Sequence, residues 1–198
     1  MKAIRTMLLA TGFVLAIAGC STVSVTNQWR DPQFAGAAAT NFVVVGIARN
    51  ETTRRVFEDT FVAELRKAGV QAQPAYTQIE AGQNGKVKLT DLVRASGADA
   101  VLTTRVQRVQ QKLNVSSGPS YYSGYGGFYG WYGGAWASTP TVSQYEVVTL
   151  ETNVWDPKSG TLIWAATTER VASPDIPKVT TQLAQALIPR MRADHILR

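Results

Sequence analysis

The chain has a single cysteine, Cys20, and a single histidine, His195, in 198 residues. A lone thiol has no partner for an internal disulfide, so stability must come from an ordinary core. His195 stands at the far C-terminal end. From there one imidazole assembles neither a Ser-His-Asp triad nor a His-rich metal site, and it reads as a solvent-exposed tail residue. A phosphate loop is also missing, since Gly124-Tyr125-Gly126-Gly127 is followed by neither Lys-Ser/Thr nor a helix. Carboxylates can work in pairs, as in glycosidases. Glu146, Glu151, Asp156 and Glu169 fall on or near one predicted hairpin, but no spacing forces two of them into a pocket, and surface charge that limits edge pairing explains them better. The expectation is a protein that is not an enzyme and uses no cofactor and no metal.

The N-terminus lacks an apolar run long enough to stay in a bilayer. Its uncharged stretch, residues 7 to 18, has twelve residues, whereas a spanning helix needs about twenty at ~1.5 Å per residue across a ~30 Å core. Lys2 and Arg5 precede the stretch and Gly19-Cys20 closes it, which is the charged start, apolar middle and small-residue exit of a signal peptide over residues 1 to 19. Ile17-Ala18-Gly19-Cys20 resembles the processing site of bacterial lipoproteins: a branched aliphatic residue, a small residue, Gly or Ala, and a lipidated Cys. The resemblance implies a diacylglyceryl thioether on Cys20 and an acylated amine, hence an effectively permanent membrane anchor. It also leaves no thiol for a Cys nucleophile. With Ser21 rather than Asp after the cysteine, it favours the outer membrane, periplasm-facing, over the inner one.

A concentrated basic stripe is absent as well. The formal charge is +6. Lys2 and Arg5 leave with the signal, so 18 Lys+Arg face 14 Asp+Glu, a net +4. The remaining bases, among them Arg54, Arg66, Lys88, Arg108, Lys158 and Arg192, are scattered. Nucleic acid is therefore not an expected partner.

What is present is a regular alternation of strand and helix signals. Residues 20 to 40, polar and small with Val23, Val25 and Trp29 at odd positions, read as a lipidated tether that could carry a short edge strand. Phe42-Val43-Val44-Val45-Gly46-Ile47 is a continuous apolar run, the pattern of a strand buried on both faces. Asn50 is a helix N-cap, and Val56, Phe57, Thr60, Phe61, Glu64 and Leu65 recur at helical spacing up to Ala68-Gly69, giving a helix over about 51–67. Val70-Gln71-Ala72 is a short strand, 74–88 a polar connection, 89–96 a second helix, and Ala98-Asp99-Ala100-Val101-Leu102 the start of a long third strand. Crossovers through helices make these strands parallel. Within the third strand Leu102, Thr104 and Val106 share one parity and Val109, Leu113 and Val115 the other, so a bulge sits near Gln107-Arg108 or the strand leaves the sheet there as an arm.

Further on, Tyr145 to Trp155 alternates, Asp156-Pro157-Lys158-Ser159-Gly160 forms a tight turn, and residues 161 to 169 return as the antiparallel partner. Ser173-Pro174-Asp175 starts a last helix with Ile176, Val179, Leu183, Leu187 and Met191 as its buried stripe, which Pro189 should kink or end early. The fold class is α/β: one domain over residues 41 to 198 with a single mixed sheet, βαβαβ followed by an antiparallel hairpin and a C-terminal helix.

This order of elements resembles a group of Gram-negative envelope lipoproteins that includes peptidoglycan-synthase activators, the amino-terminal domain of the translocation protein TolB and curli-type secretion lipoproteins. The likeness is carried by the Phe42-Val43-Val44-Val45 strand, by Gly97-Ala98-Asp99-Ala100-Val101-Leu102, and by Trp155-Asp156-Pro157-Lys158-Ser159-Gly160-Thr161-Leu162-Ile163-Trp164. It covers most of residues 40 to 192 as a pattern of elements and implies a fold, with function only by analogy.

Residues 116 to 138 interrupt this pattern with glycine and aromatic residues: Tyr121, Tyr122, Tyr125, Phe128, Tyr129, Trp131, Tyr132 and Trp136. So many glycines hold no helix, and no periodicity would pack a core. The segment is expected to be the protruding hairpin loop at the tip of an arm over residues 109 to 147. Its eight aromatics would offer rigid amphipathic contact area to an envelope protein, peptidoglycan or a membrane interface. A non-catalytic binding or scaffold lipoprotein is the functional expectation, with two alternatives: a component of an oligomeric secretion or cell-wall-synthesis assembly, and a glycan binder using the aromatic loop. The oligomeric state is not legible.

Overall fold

The computed structural model describes residues 23–77, 91, 93–116 and 141–198. Six strands form one sheet: β1 (Ser24–Arg30), β2 (Asn41–Ile47), β3 (Gln71–Pro74), β4 (Ala100–Ser116), β5 (Thr141–Asp156) and β6 (Thr161–Val171). Their order is β1-β6-β5-β4-β2-β3. β2 is parallel to both β3 and β4, and the remaining pairings are antiparallel. The sheet is mixed and open, as expected for this fold class.

The apolar run of β2 lies inside the sheet, with Phe42, Val43 and Val44 fully buried. Phe42 and Val44 face the helical layer made by α1 (Glu51–Lys67) and α2 (Ile176–Ala193), where they join Phe61, Leu65, Leu102, Val154, Trp164, Leu183, Leu187 and Met191 in the main core. Val43 points the other way, into a smaller cluster with Ala75, Ala98 and Val101, against which Val93 and Trp155 pack. Side chains of opposite parity thus serve two cores of unequal size.

Helix α1 begins where its sequence says it should, with the Asn50 side chain accepting from the Thr53 N–H. Inside it, Glu58 is fully buried, and its carboxylate accepts the Gly46 N–H at 2.9 Å and the Tyr76 N–H at 2.8 Å, tying the helix to β2 and to the short 3-10 turn Ala75–Thr77. Gly46 is required there because a Cβ would lie 2.9 Å from the Phe57 ring. Asp99 works similarly at the other end of β2. Its carboxylate accepts the Thr40 and Asn41 N–H groups and the Thr40 hydroxyl, fixing the register in which Phe42 stands beside Ala100.

Three features depart from expectation. The segment read as a tether with a possible short edge strand does carry that strand, but as part of the sheet rather than of a free tether, since β1 pairs with β6 and Val23 is already buried. The last helix is capped by Asp175, which accepts the Lys178 N–H, with Pro177 rather than Pro174 in the first turn. It also runs through Pro189 to Ala193. Proline removes the bond to the Gln185 carbonyl, but both residues are on the exposed side, where water can replace the lost donor.

Beyond α2, His195 is exposed yet takes a left-handed φ of 55°. The His195 N–H reaches the Arg192 carbonyl and the Ile196 N–H the Met191 carbonyl, a Schellman arrangement. It turns Ile196 and Leu197 into the core. Asp194 accepts from the Trp164 indole N–H at 2.8 Å and from the Gln28 amide, joining the helix end to β6 and β1.

Candidate functional site

The parity change in β4 is a bulge at Gln107, where the register steps from Val106 opposite Leu150 to Arg108 opposite Thr149. The extra residue absorbs the change of parity. Val109, opposite Val148, therefore stays on the helix-covered side of the sheet together with Leu102, Thr104 and Val106, and Leu113 and Val115 follow it. The two strands then outrun their neighbours. β2 ends at Ile47, opposite Arg105, and β6 ends at Val171, opposite Val147, whereas β4 and β5 remain paired to Ser116 and Thr141. Residues 111–115 and 142–146 are exposed throughout. This is a two-stranded arm, as the sequence suggests.

One face of the arm carries most of its exposed apolar side chains, together with Gln111, Gln144 and Glu146. Val106, Val109, Leu113, Val115 and Val142 are each more than half exposed, while Lys112, Asn114, Ser143 and Tyr145 alternate onto the other face. At its root this face meets a cleft of about 230 Å³ between the N-terminal ends of α1 and α2, lined by Phe57, Val106, Val148, Leu150, Ile176 and Leu183. Arg170 stands at the same cleft, donating to the Gln182 amide oxygen at 3.2 Å, and burial pulls its guanidinium below its ordinary value. Apolar side chains thus recur from a cleft in the body out along the arm, interrupted by the Gln111–Glu146 pair.

On the opposite side of the sheet lies a wider groove of about 1030 Å³. Its floor is Val101, Thr103 and Arg105 of β4 with Glu151, Asn153 and Trp155 of β5, and the 156–160 turn forms one wall. The Trp155 indole N–H donates to Thr103 Oγ1 at 3.1 Å. The Asn153 amide and the Arg105 guanidinium hold the Glu151 carboxyl below its ordinary value, at 2.9 Å and 2.7 Å respectively. An ionised carboxylate with both oxygens occupied shapes a polar floor and is a poor proton donor.

The four carboxylates weighed as catalytic pairs are not brought together in one pocket. Glu151 belongs to the groove, Glu169 meets Arg108 at 3.4 Å, Asp156 organises its own turn, and Glu146 stands opposite Gln111 on the arm. Cys20 and the aromatic residues Tyr121, Tyr122, Tyr125, Phe128, Tyr129, Trp131, Tyr132 and Trp136 lie outside the described residues. The groove and the buried Glu58 were not anticipated. Trp155 carried a signal, because it ends a strand whose apolar residues, Val148, Leu150 and Val154, have the other parity. Glu58 carried none.

Comparison with curated protein sequences gives no match. Among solved structures, the chain is similar to the PelC dodecamer from Paraburkholderia phytofirmans, at 18% identity over 89% of this chain and 99% of that one, with a TM-score of 0.48. It is also similar to lipoprotein GNA1162 from Neisseria meningitidis, at 15% identity over 78% of this chain and 99% of that one, with a TM-score of 0.42. The profile of one family matches residues 45–193, from the last three residues of β2 to the end of α2. The chain belongs to the family described as "Domain of unknown function (DUF4136)".

Proposed function

We propose that this protein is a bacterial lipoprotein anchored through acylated Cys20 on the periplasmic side of the outer membrane. It works by binding, as a recognition or scaffold module for another envelope component, and performs no catalysis. The observation that carries the binding role is the β4–β5 arm, whose apolar face serves no core. Monomeric proteins rarely leave contiguous apolar surface uncovered unless something docks on it. The eight aromatics between Tyr121 and Trp136 continue the arm in sequence and extend the same contact role. The absence of catalysis is supported by the engagement of the carboxylates: Glu58 is bound to two backbone N–H groups, and Glu151 to Asn153 and Arg105.

Intact mass of the mature protein tests the anchor. Added lipid on a chain beginning at Cys20 is expected, and Cys20→Ala should accumulate as uncleaved precursor; a free thiol at the mature N-terminus contradicts the reading. Crosslinking in envelopes tests the binding role, with adducts expected from the arm and lost in Leu113→Ser/Val115→Ser.

A second reading comes from the groove. Its aromatic floor at Trp155 beside Asn153, Arg105 and Glu151 has the mixed apolar and hydrogen-bonding character that suits a glycan strand, peptidoglycan in this compartment. Protection of the Trp155 fluorescence by soluble peptidoglycan fragments, lost in Asn153→Ala, would favour it.

A further inference from the structure

We propose that the β4–β5 arm lies against the bilayer that holds the anchor, with Val109, Leu113, Val115 and Val142 facing lipid. The proposal rests on the reading of Cys20 as the acylated residue and names the arm's partner. Ser24 stands opposite Glu169, and Glu169 is level with Thr149 and Arg108 across the sheet. The chain therefore enters the domain at the root of the arm, and the 156–160 turn lies at the other end. Val23 is already buried, so the free tether is only the three steps from Cys20, at most about 11 Å. From Arg108 to Ser116 the arm runs about 27 Å at ~3.4 Å per residue.

These lengths restrict the orientation. With the arm's root held about 11 Å or less from the interface, an arm directed at the bilayer cannot stop short of it. An arm directed away would force the body, which extends from the same level in the opposite direction, into the lipid. That end of the body is the polar turn Asp156-Pro157-Lys158-Ser159-Gly160, which has no apolar surface suited to such a place. The arm does have one. Its exposed valines and Leu113 share one face with Gln111, Gln144 and Glu146, whose polar ends can reach the headgroup layer, and Lys112 projects from the other face, where a long basic side chain can reach anionic headgroups.

The test uses the full mature protein, lipidated and reconstituted in vesicles of phosphatidylethanolamine and phosphatidylglycerol. Acylation occupies the native thiol, so Leu113→Cys, Val142→Cys and Ser159→Cys can each carry one environment-sensitive fluorophore. At 113 and 142 the emission is expected to shift to the blue and to be quenched by a nitroxide on the lipid acyl chains, while at 159 it remains water-like and unquenched. Water-like emission at 113 and 142, in protein whose mass shows the lipid, overturns the proposal and leaves the anchor standing. A blue shift without lipid quenching also overturns it, in favour of a second copy or another protein covering the arm. A mature chain with no added lipid removes the anchor and the proposal together.

Discussion

Strands β4 and β5 live in two environments. Up to the bulge, Leu102 and Thr104 of β4 face Val154 and Thr152 of β5 under the two helices and are buried. Past it, Val109, Leu113 and Val115 are as apolar as the buried half and stand on the same side of the sheet, yet they are exposed and, among the described residues, no helix covers them. The difference lies in what the neighbours supply rather than in strand propensity. Where β2, β6, α1 and α2 stop, two strands continue alone. A bare two-stranded ribbon is marginal in water by itself, so this one borrows its order from the body and contributes little stability in return. On the proposed reading the body accounts for folding and the arm for contact.

The sharpest way to break that division is to damage the body. Trp164→Ala should cost about 3–5 kcal/mol, the range for deleting a large buried aromatic, because Trp164 is fully buried and its indole bonds Asp194. Chemical denaturation would show it, and a loss near zero would mean that the core is elsewhere. Next, Glu58→Ala should cost about 2–4 kcal/mol by leaving the Gly46 and Tyr76 N–H groups without their acceptor. Burial pushes the Glu58 carboxyl above its ordinary value, against the opposing pull of those two N–H groups and of Arg54. Its folded form therefore keeps the proton to higher pH than the unfolded chain. This group's effect is a stability that declines as pH rises from the ordinary carboxylate range through the raised value. Glu58→Gln should remove that decline, read as a flatter unfolding free energy as pH rises above the ordinary carboxylate range.

Smaller effects sharpen the comparison from the arm's side. Gly160→Ala, at φ 70° in the β5–β6 turn, should cost about 1–2 kcal/mol and leave arm contacts intact. Deleting Gln107 should remove the bulge and restore simple alternation while Val109, Leu113 and Val115 keep their β5 partners and stay on the same face as Val142. Contact should then be kept with only a small change in melting temperature, and lost contact would show that the bulge itself, and not the face alone, sets the arm's presentation.

Much of the body was legible because its residues follow local rules. Asn50 and Ala68-Gly69 bracket α1, the uninterrupted run of β2 announces burial on both faces, and the change of parity between Val106 and Val109 points to the stretch Gln107-Arg108, where the bulge lies. What stayed hidden depends on tertiary partners. Val23, Val25 and Trp29 allowed a short edge strand, but nothing local shows that β6 offers it an edge or that Asp194 holds Gln28. Ile196 and Leu197 look like a loose end, and only the left-handed turn at His195 brings them inside. Glu58 resembles any exposed helical glutamate until Gly46 and Tyr76 are placed beside it. Of the candidate site, the arm could be read and the groove around Trp155 could not, because the groove is assembled from β4, β5 and the turn beside Val93, far apart in sequence.

The most direct test of the division between body and arm is one double variant measured in two ways. Leu113→Ser/Val115→Ser removes apolar surface that no core uses. Its unfolding free energy should stay within about 0.5 kcal/mol of the parent, as for surface positions generally, while association of the arm with envelope membranes is lost. A drop of several kcal/mol with association unchanged would place those residues in a folding role and contradict the account.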